Sequence, residues 1–143
     1  EVRSDVAPLN GLAKEILKVG GIVKLKDPTR GGLANTLNEW TEKSHVGIVA
    51  YEDRIPIKTG VKVACEMLGI DPLEVGNEGK LVVAAVREKA SEILEALKRS
   101  KLGEDAEIIG EVSSEYSQVV LQTSVGGRRI VLPPIGDPVP RIC

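Results

Sequence analysis

Apolar residues recur along the chain at helical spacing, with short apolar runs between the helical stretches. The first set of apolar residues recurs at steps of three and four, with one adjacent pair, and predicts an amphipathic helix that ends at the glycine pair 20–21. Its members are Leu9, Leu12, Ile16 and Leu17. The same spacing predicts three more helices, with inward-facing residues Leu33, Leu37 and Trp40; Val61, Ala64, Cys65 and Leu68; and Ile93, Leu94 and Leu97. The intervening runs predict strands at 22–26, 46–52, 81–86, 106–112, 118–123 and 129–132.

Helices and strands therefore alternate before a small meander of strands ends the domain. This order predicts an α/β (α+β) sandwich in which a mixed sheet is covered by helices. The run 81–86 is apolar throughout, which indicates a strand covered on both faces.

The composition changes in residues 133–143, which include four prolines and end in Cys143. We expect a domain over 1–132 followed by an extended, flexible arm with a reach of roughly 30 Å.

Composition excludes several classes of function. The net charge is -2, with 19 basic and 21 acidic residues mixed along the chain, and the aromatic side chains are one Trp and two Tyr. These values argue against nucleic acid and against an anionic membrane as partners. No apolar run is long enough to span a bilayer, so we expect a cytoplasmic protein. The first residue is Glu1 instead of Met, which indicates a fragment or a processed chain.

The cysteines and the histidine do not have metal-ligand spacing. Cys65 lies on the apolar face of the third predicted helix, where a small buried side chain is expected. His45 lies near the predicted end of the second helix and has no partner at zinc-ligand spacing. A reducing cytoplasm would keep the second cysteine, Cys143, as a free thiol.

A glycine-rich turn, residues 27–33, lies between a predicted strand and a predicted helix. Backbone N–H groups and the helix dipole favour an anion at such a position, and Arg30 could bind phosphate or carboxylate through two hydrogen bonds. A local role is the alternative, in which Asp27 or Thr29 caps the helix and the glycines permit the turn. The turn does not have the Walker A pattern.

A second loop, residues 76–79 (Gly-Asn-Glu-Gly), immediately precedes the apolar run 81–86. A carboxylate at the mouth of a strand could act as a general base, which makes Glu78 a candidate. The alternative is an ordinary turn with a solvated glutamate.

The terminal residue, Cys143, is the third candidate for chemistry. A thiolate is a nucleophile, and a thiol at the tip of an extended arm suits a carrier that moves a group between sites. The alternative is a frayed tail that happens to end in cysteine.

Together, the turn 27–33, the loop 76–79 and the ending 140–143 (Pro-Arg-Ile-Cys) resemble the HypE family, the carbamoyl dehydratases of [NiFe]-hydrogenase maturation. Residues 4–9 resemble the opening of that family's C-terminal domain, so the resemblance covers essentially the whole chain. The first two motifs occur in looser form in aminoimidazole-ribonucleotide synthase (PurM), in PurL and in selenophosphate synthetase. The ending in cysteine is specific to HypE. The resemblance implies a PurM C-terminal-like fold with the N-terminal ATP-binding domain absent.

The resemblance also implies a reaction. A HypF carbamoyltransferase would place a carbamoyl group on Cys143, giving a thiocarbamate. ATP would then phosphorylate the amide oxygen, and a base would remove the N–H protons as phosphate leaves. The product is a thiocyanate, whose cyano group passes to iron held by a HypC–HypD complex.

Site residues carry over by the same resemblance. Cys143 is the carrier and Glu78 the candidate base. The residues expected near the nucleotide are Asp27, Thr29, Arg30, Gly31, Gly32 and Asn77. ATP and Mg²⁺ would be bound mostly by the absent domain, through which the full-length protein would form a homodimer. We therefore expect the fragment alone to be inactive.

Two other functions are compatible with the sequence. One is a non-catalytic docking module whose proline-rich tail is an extended recognition peptide. The other is a different ATP-dependent ligase or synthase of the PurM superfamily, against which the terminal cysteine argues because those reactions need no thiol there.

Overall fold

The structure is a computed structural model that describes residue 4 and residues 6–136. Its α-helices are α1 (Asn10–Val19), α2 (Gly32–Ser44), α3 (Thr59–Leu68) and α4 (Ala90–Lys98). Its strands are β1 (Ile22–Lys26), β2 (Gly47–Tyr51), β3 (Val82–Ala85), β4 (Gly110–Ser113), β5 (Val119–Gln122) and β6 (Arg128–Ile130). The chain forms two compact units, Glu1–Asp27 with Asn77–Ile108, and Pro28–Gly76 with Ile109–Cys143.

The first unit contains α1, β1, β3 and α4. β1 and β3 pair antiparallel as a two-stranded sheet, with Leu25 opposite Val83. The two helices pack against each other, and their apolar faces bury Leu12, Ile16 and Ile93. These are positions at which the helical spacing of the sequence predicts an inward face.

The second unit is built on a four-stranded sheet with the order β4-β2-β5-β6. β2 pairs parallel with β5 and antiparallel with β4, and β5 pairs antiparallel with β6. The predicted mixed sheet is therefore confirmed. Residues from the middle of this sheet form much of the core, which includes Ile48, Ala50, Val119, Val120 and Leu121.

Helix α2 covers part of this sheet and contacts both β2 and β5. Leu37 and Trp40 are buried, as the sequence predicts. The helix ends at His45, whose left-handed backbone (φ 56°) lets its N–H donate to the carbonyl oxygen of Thr41 at 2.9 Å. His45 is thus a residue of a helix end, in agreement with its prediction from sequence.

Two details of the predicted packing are wrong for the described residues. The predicted inward face of α3 is largely exposed, since Val61, Ala64 and Leu68 face solvent and only Cys65 of that face is buried. β3 is half-buried along its length instead of covered on both faces. In both cases the apolar pattern identifies a surface suited to burial, whereas burial itself requires a neighbour to cover that surface.

The described helices include none that is both long enough and apolar enough to cross a membrane. The predicted division into a domain over 1–132 and an arm over 133–143 stays a prediction, because residues 137–143 lie outside the described part of the chain.

Candidate functional site

The glycine-rich turn connects β1 to α2 and contains two consecutive residues in the left-handed region. Gly31 has φ 72° and Gly32 has φ 61°, conformations that strongly favour glycine. Gly31 occupies the N-cap position, where no side chain supplies a capping hydrogen bond. Capping of α2 by Asp27 or Thr29, one part of the local alternative, is therefore wrong, whereas its other part, that the glycines permit the turn, is confirmed.

Gly32 is also required by close backbone packing. A Cβ atom at this position would lie 2.5 Å from the carbonyl oxygens of both Leu73 and Val75. Leu73 belongs to the 3₁₀-helix Pro72–Glu74 and Val75 follows it, and this 3₁₀-helix packs against the start of α2. The pair of glycines therefore brings two backbone segments together, which explains their presence without any ligand.

The second unit also brings parts of the two sequence motifs into contact. A Cβ atom on Gly76 would lie 2.3 Å from the carbonyl oxygen of Thr29, so the loop 76–79 begins against the backbone of the glycine-rich turn. The carbonyl oxygen of Thr29 in turn accepts a hydrogen bond from the N–H of Gly32 at 3.3 Å. Thr29, Gly32 and Gly76, distant in sequence, thus lie in one small region of the fold.

Three of the predicted site residues of these motifs belong to the first unit. Asp27 is exposed at the end of β1, and Glu78 is exposed within the loop 76–79. Asn77 is half-buried, and its side-chain oxygen accepts a hydrogen bond from Nζ of Lys80. The chain passes between the units at Asp27–Pro28 and again at Gly76–Asn77, so each motif is divided between them.

An open depression of about 270 Å³ lies beside the start of α2. Its lining residues are Arg30, Gly31, Asn35, Pro134 and Gly136. Arg30 is the charged residue among them, and Nδ2 of Asn35 donates to the carbonyl oxygen of Arg30 at 3.1 Å. The depression therefore joins the glycine-rich turn to the beginning of the predicted arm.

These features suit part of a nucleotide site and no more. Arg30 and the backbone N–H groups of a helix start could bind one phosphate group. However, the carbonyl oxygens of Leu73 and Val75 occupy the space beside Gly32, and carbonyl oxygens do not attract an anion. Within residues 6–136, no group of three His, Cys, Asp or Glu side chains is placed to hold a metal ion.

Sequence reasoning missed the role of Asn35 and Asn38 in α2. Both lie in the interior of the helix, where asparagine is a poor helix former unless its side chain bonds to nearby backbone. Nδ2 of Asn38 donates to the carbonyl oxygens of Ala34 at 2.9 Å and of Val131 at 3.0 Å. Two asparagines within one predicted helix were a signal that could have indicated such contacts.

The predicted carrier, Cys143, lies outside the described residues. The other cysteine, Cys65, is buried with a free thiol, as predicted. No reactive role is indicated for it, because burial among apolar neighbours keeps a thiol inert.

Comparison with known families gives a match over most of the chain. Residues 5–122 match the family described as AIR synthase related protein, C-terminal domain. A hydrogenase expression/formation protein of Methanocaldococcus jannaschii is 52% identical over 99% of this chain, which spans 42% of that protein's length. The carbamoyl dehydratase HypE of Bradyrhizobium diazoefficiens is 47% identical over 100% of this chain, again 42% of the relative's length.

Solved structures give the same result. The structure of a HypE–HypF complex matches 93% of this chain with a TM-score of 0.89 and 48% identity. HypE in complex with ATP matches 96% of it with a TM-score of 0.91 and 40% identity. In each case the match covers 44% of the solved chain. The resemblance predicted from the sequence motifs is confirmed, and the chain spans less than half the length of these relatives.

Proposed function

Because the chain belongs to the family of AIR synthase related proteins, as their C-terminal domain, we propose that it is the C-terminal part of a carbamoyl dehydratase that makes the cyanide ligands of [NiFe]-hydrogenases. The observation that carries this proposal is the extent of the likeness to a HypE protein, 47% identity over 100% of the chain. The likeness extends over the whole chain and therefore over the segment that ends in Cys143.

The first step concerns the thiol of Cys143. As thiolate, its sulfur attacks the carbonyl carbon of a carbamoyl group supplied by a HypF-type carbamoyltransferase. The carrier that delivered the group leaves, and the sulfur holds S–C(=O)–NH₂. A solved HypE–HypF complex supports HypF as the partner for this transfer.

The second step removes the elements of water from the thiocarbamate. The amide oxygen is a poor leaving group, and ATP supplies the phosphoryl group with which that oxygen departs as phosphate. Two N–H protons must be lost as the C≡N bond forms, and Glu78 is the residue of this chain proposed to accept a proton. Its present exposure means that a water-excluding surface has to come from outside the described residues.

Arg30 is the residue proposed to stabilise phosphate charge, together with the N–H groups at the start of α2. Asp27, Thr29, Gly31, Gly32 and Asn77 would shape this side of the cleft. The solved complex of a HypE with ATP supports a nucleotide as co-substrate. Mg²⁺ and most nucleotide contacts are proposed to come from an N-terminal domain of the full-length protein.

The proposed setting is a cytoplasmic homodimer that delivers the cyano group to iron on a HypC–HypD complex. Residues 1–132 would form the folded domain and residues 133–143 the arm that carries the thiol. The fragment alone would have no dehydratase activity, because the described residues form only part of a nucleotide site.

The test is intact-protein mass spectrometry on the full-length protein, incubated with a HypF-type carbamoyltransferase, carbamoyl phosphate and ATP. We expect a gain of one carbamoyl group, which peptide mapping places on Cys143, followed by the loss of one water. Cys143→Ala should abolish the gain, whereas Cys65→Ala, the same substitution at the buried cysteine, should retain it.

Two results would contradict the proposal. If Cys143→Ala still becomes carbamoylated, the carrier is another group. If no adduct forms although the carbamoyltransferase binds equally well to the wild type and to Cys143→Ala, the C-terminal segment is a docking peptide without chemistry.

A further inference from the structure

The segment that follows β6 is held on the second unit by hydrogen bonds at Val131. The N–H of Val131 donates to the carbonyl oxygen of Val119 at 2.9 Å, and its own carbonyl oxygen accepts from Nδ2 of Asn38 at 3.0 Å. Val131 is buried, so both hydrogen bonds are formed by a residue that is shielded from water. Asn38 lies 93 positions earlier in sequence, and its bond therefore fixes the chain after the sheet to the middle of α2.

A second contact holds the same segment at the start of α2. The ring of Pro134 packs so closely on Gly31 that a Cβ atom on Gly31 would lie 2.8 Å from Cγ of the ring. Any other residue at position 31 would displace Pro134 and would also be strained at φ 72°. Gly31 thus permits the left-handed turn and also leaves room for the ring of Pro134.

The two described residues beyond Pro134 are both exposed. Ile135 is fully exposed, and Gly136 has φ 87° with open space around the position of a Cβ atom. We define residues 131–136 as the arm root, fixed at Val131 and Pro134.

We infer that Asn38 and Gly31 are positioning residues for the carrier thiol, because they fix the arm root to α2 beside Arg30. This inference rests on the proposed function. With the root fixed at Pro134, nine residues (135–143) follow the last contact and end in the thiol, a reach of roughly 28 Å if extended. Without the two contacts, Val131 still has its hydrogen bond to Val119, and twelve residues (132–143) follow this last attachment.

A longer tether lowers the effective concentration of the thiol at any fixed site. The effective concentration falls roughly as the −3/2 power of tether length, so a tether of about twelve residues in place of nine should lower it about 1.5-fold. The transfer that loads the thiol is bimolecular and does not depend on this tether. Dehydration of the loaded thiol, which takes place within the protein, does depend on it.

Hydrogen exchange on the full-length protein tests the anchor itself. In Asn38→Ala, the amide of Val131 should exchange about three to ten times faster than in the wild type. Loss of the hydrogen bond from Asn38 to the carbonyl oxygen of Val131 makes local opening of the bond between the Val131 N–H and Val119 easier. The amides of β5 should keep their rates. Ser44→Ala is the matched control, because it also removes a side-chain hydrogen bond to a carbonyl of α2, here that of Trp40 instead of Val131. Unchanged exchange at Val131 in Asn38→Ala would overturn the inference.

Single-turnover kinetics test the positioning role. The double variant Asn38→Ala with Pro134→Ala removes both contacts. It leaves Gly31 unchanged, where any other residue would be strained. Its loading by carbamoyl transfer should match the wild type, and its dehydration rate should fall about 1.5-fold. Equal dehydration rates, with faster exchange at Val131, would show that the anchor is structural only and would overturn the positioning role.

The proposed function can fail independently of the anchor at Val131. If the wild type carries no carbamoyl adduct, that function fails and the positioning role fails with it. The hydrogen-exchange result at Val131 is independent of any adduct, so the two failures can be told apart.

Discussion

Helices α2 and α3 both carry apolar residues at helical spacing, yet they differ sharply in burial. Six of the thirteen residues of α2 are buried, whereas Cys65 alone is buried among the ten of α3. Leu37 in α2 is 6% exposed and Leu68 in α3 is 72% exposed. Apolar spacing therefore shows which face a helix offers for packing, while burial depends on whether another surface meets that face.

The neighbours of the two helices explain the difference. α2 contacts two strands of the sheet, and its first turn packs against the 3₁₀-helix Pro72–Glu74. α3 contacts the same 3₁₀-helix, and a group of its apolar side chains faces solvent: Val61, Val63, Met67 and Leu68. These exposed apolar side chains on one helix are available for contact with another protein segment.

Substitution of glycine by alanine at the start of each helix should give the largest contrast. In Gly32→Ala, the new Cβ would lie 2.5 Å from two carbonyl oxygens, at φ 61°. We expect a loss of about 3–5 kcal/mol in the free energy of unfolding. In Gly60→Ala of α3 the Cβ meets no neighbouring atom, and we expect a gain of about 0.5 kcal/mol from helix propensity.

Urea unfolding of the 143-residue chain, followed by circular dichroism, measures both changes. A loss below about 1 kcal/mol in Gly32→Ala would mean that the backbone of residues 73–75 moves easily away from α2. The contrast between a packed helix start and an open one would then be wrong.

Truncation of one leucine in each helix should give the next largest difference in stability. Leu37→Ala removes a buried side chain and should cost about 2–5 kcal/mol, because it loses apolar burial and leaves a cavity. Leu68→Ala should change the stability of the same chain by no more than about 0.5 kcal/mol, since its side chain is already in water. The two variants share one chemical change, so the difference between them measures burial.

The same pair of variants in the full-length protein sharpens the comparison. If a segment outside these residues covers α3, Leu68→Ala should cost at least about 1 kcal/mol there and still little in the 143-residue chain. Equal costs for Leu37→Ala and Leu68→Ala in the 143-residue chain would contradict the exposure of α3.

The fold could be predicted from sequence wherever the signal is local. The glycine pair 20–21 follows the end of α1, and the turn between β5 and β6 has Gly126 at φ 84°, as hairpin signals predict. Strand partners could not be predicted, because the apolar run of β3 does not show that it pairs with β1 in a separate sheet. Such pairing depends on contacts that are distant in sequence.

The candidate site shows the same limit. The turn 27–33 and the loop 76–79 were recognised as motifs, but the contact between Gly76 and Thr29 depends on the tertiary fold. Likewise, the prolines of the arm indicated an extended segment, whereas the seat of Pro134 on Gly31 could be seen only in three dimensions. Residue types indicated candidate chemistry, and the packing showed that the glycines also have a structural purpose.

The smallest contrast lies within α2, between two buried threonines. Oγ1 of Thr36 has no hydrogen-bond partner in the described part of the chain, whereas Oγ1 of Thr41 donates to the carbonyl oxygen of Asn38 at 2.9 Å. Thr36→Val replaces an unsatisfied hydroxyl by a methyl group of similar size and should stabilise the chain by about 1 kcal/mol. Thr41→Val removes a satisfied hydrogen bond and should destabilise it by about 1 kcal/mol. Urea unfolding would show midpoints that move in opposite directions, and a loss of stability in Thr36→Val would mean that water or another group satisfies that hydroxyl. Burial alone would then no longer explain why residues of α2 contribute more to the stability of the chain than residues of α3.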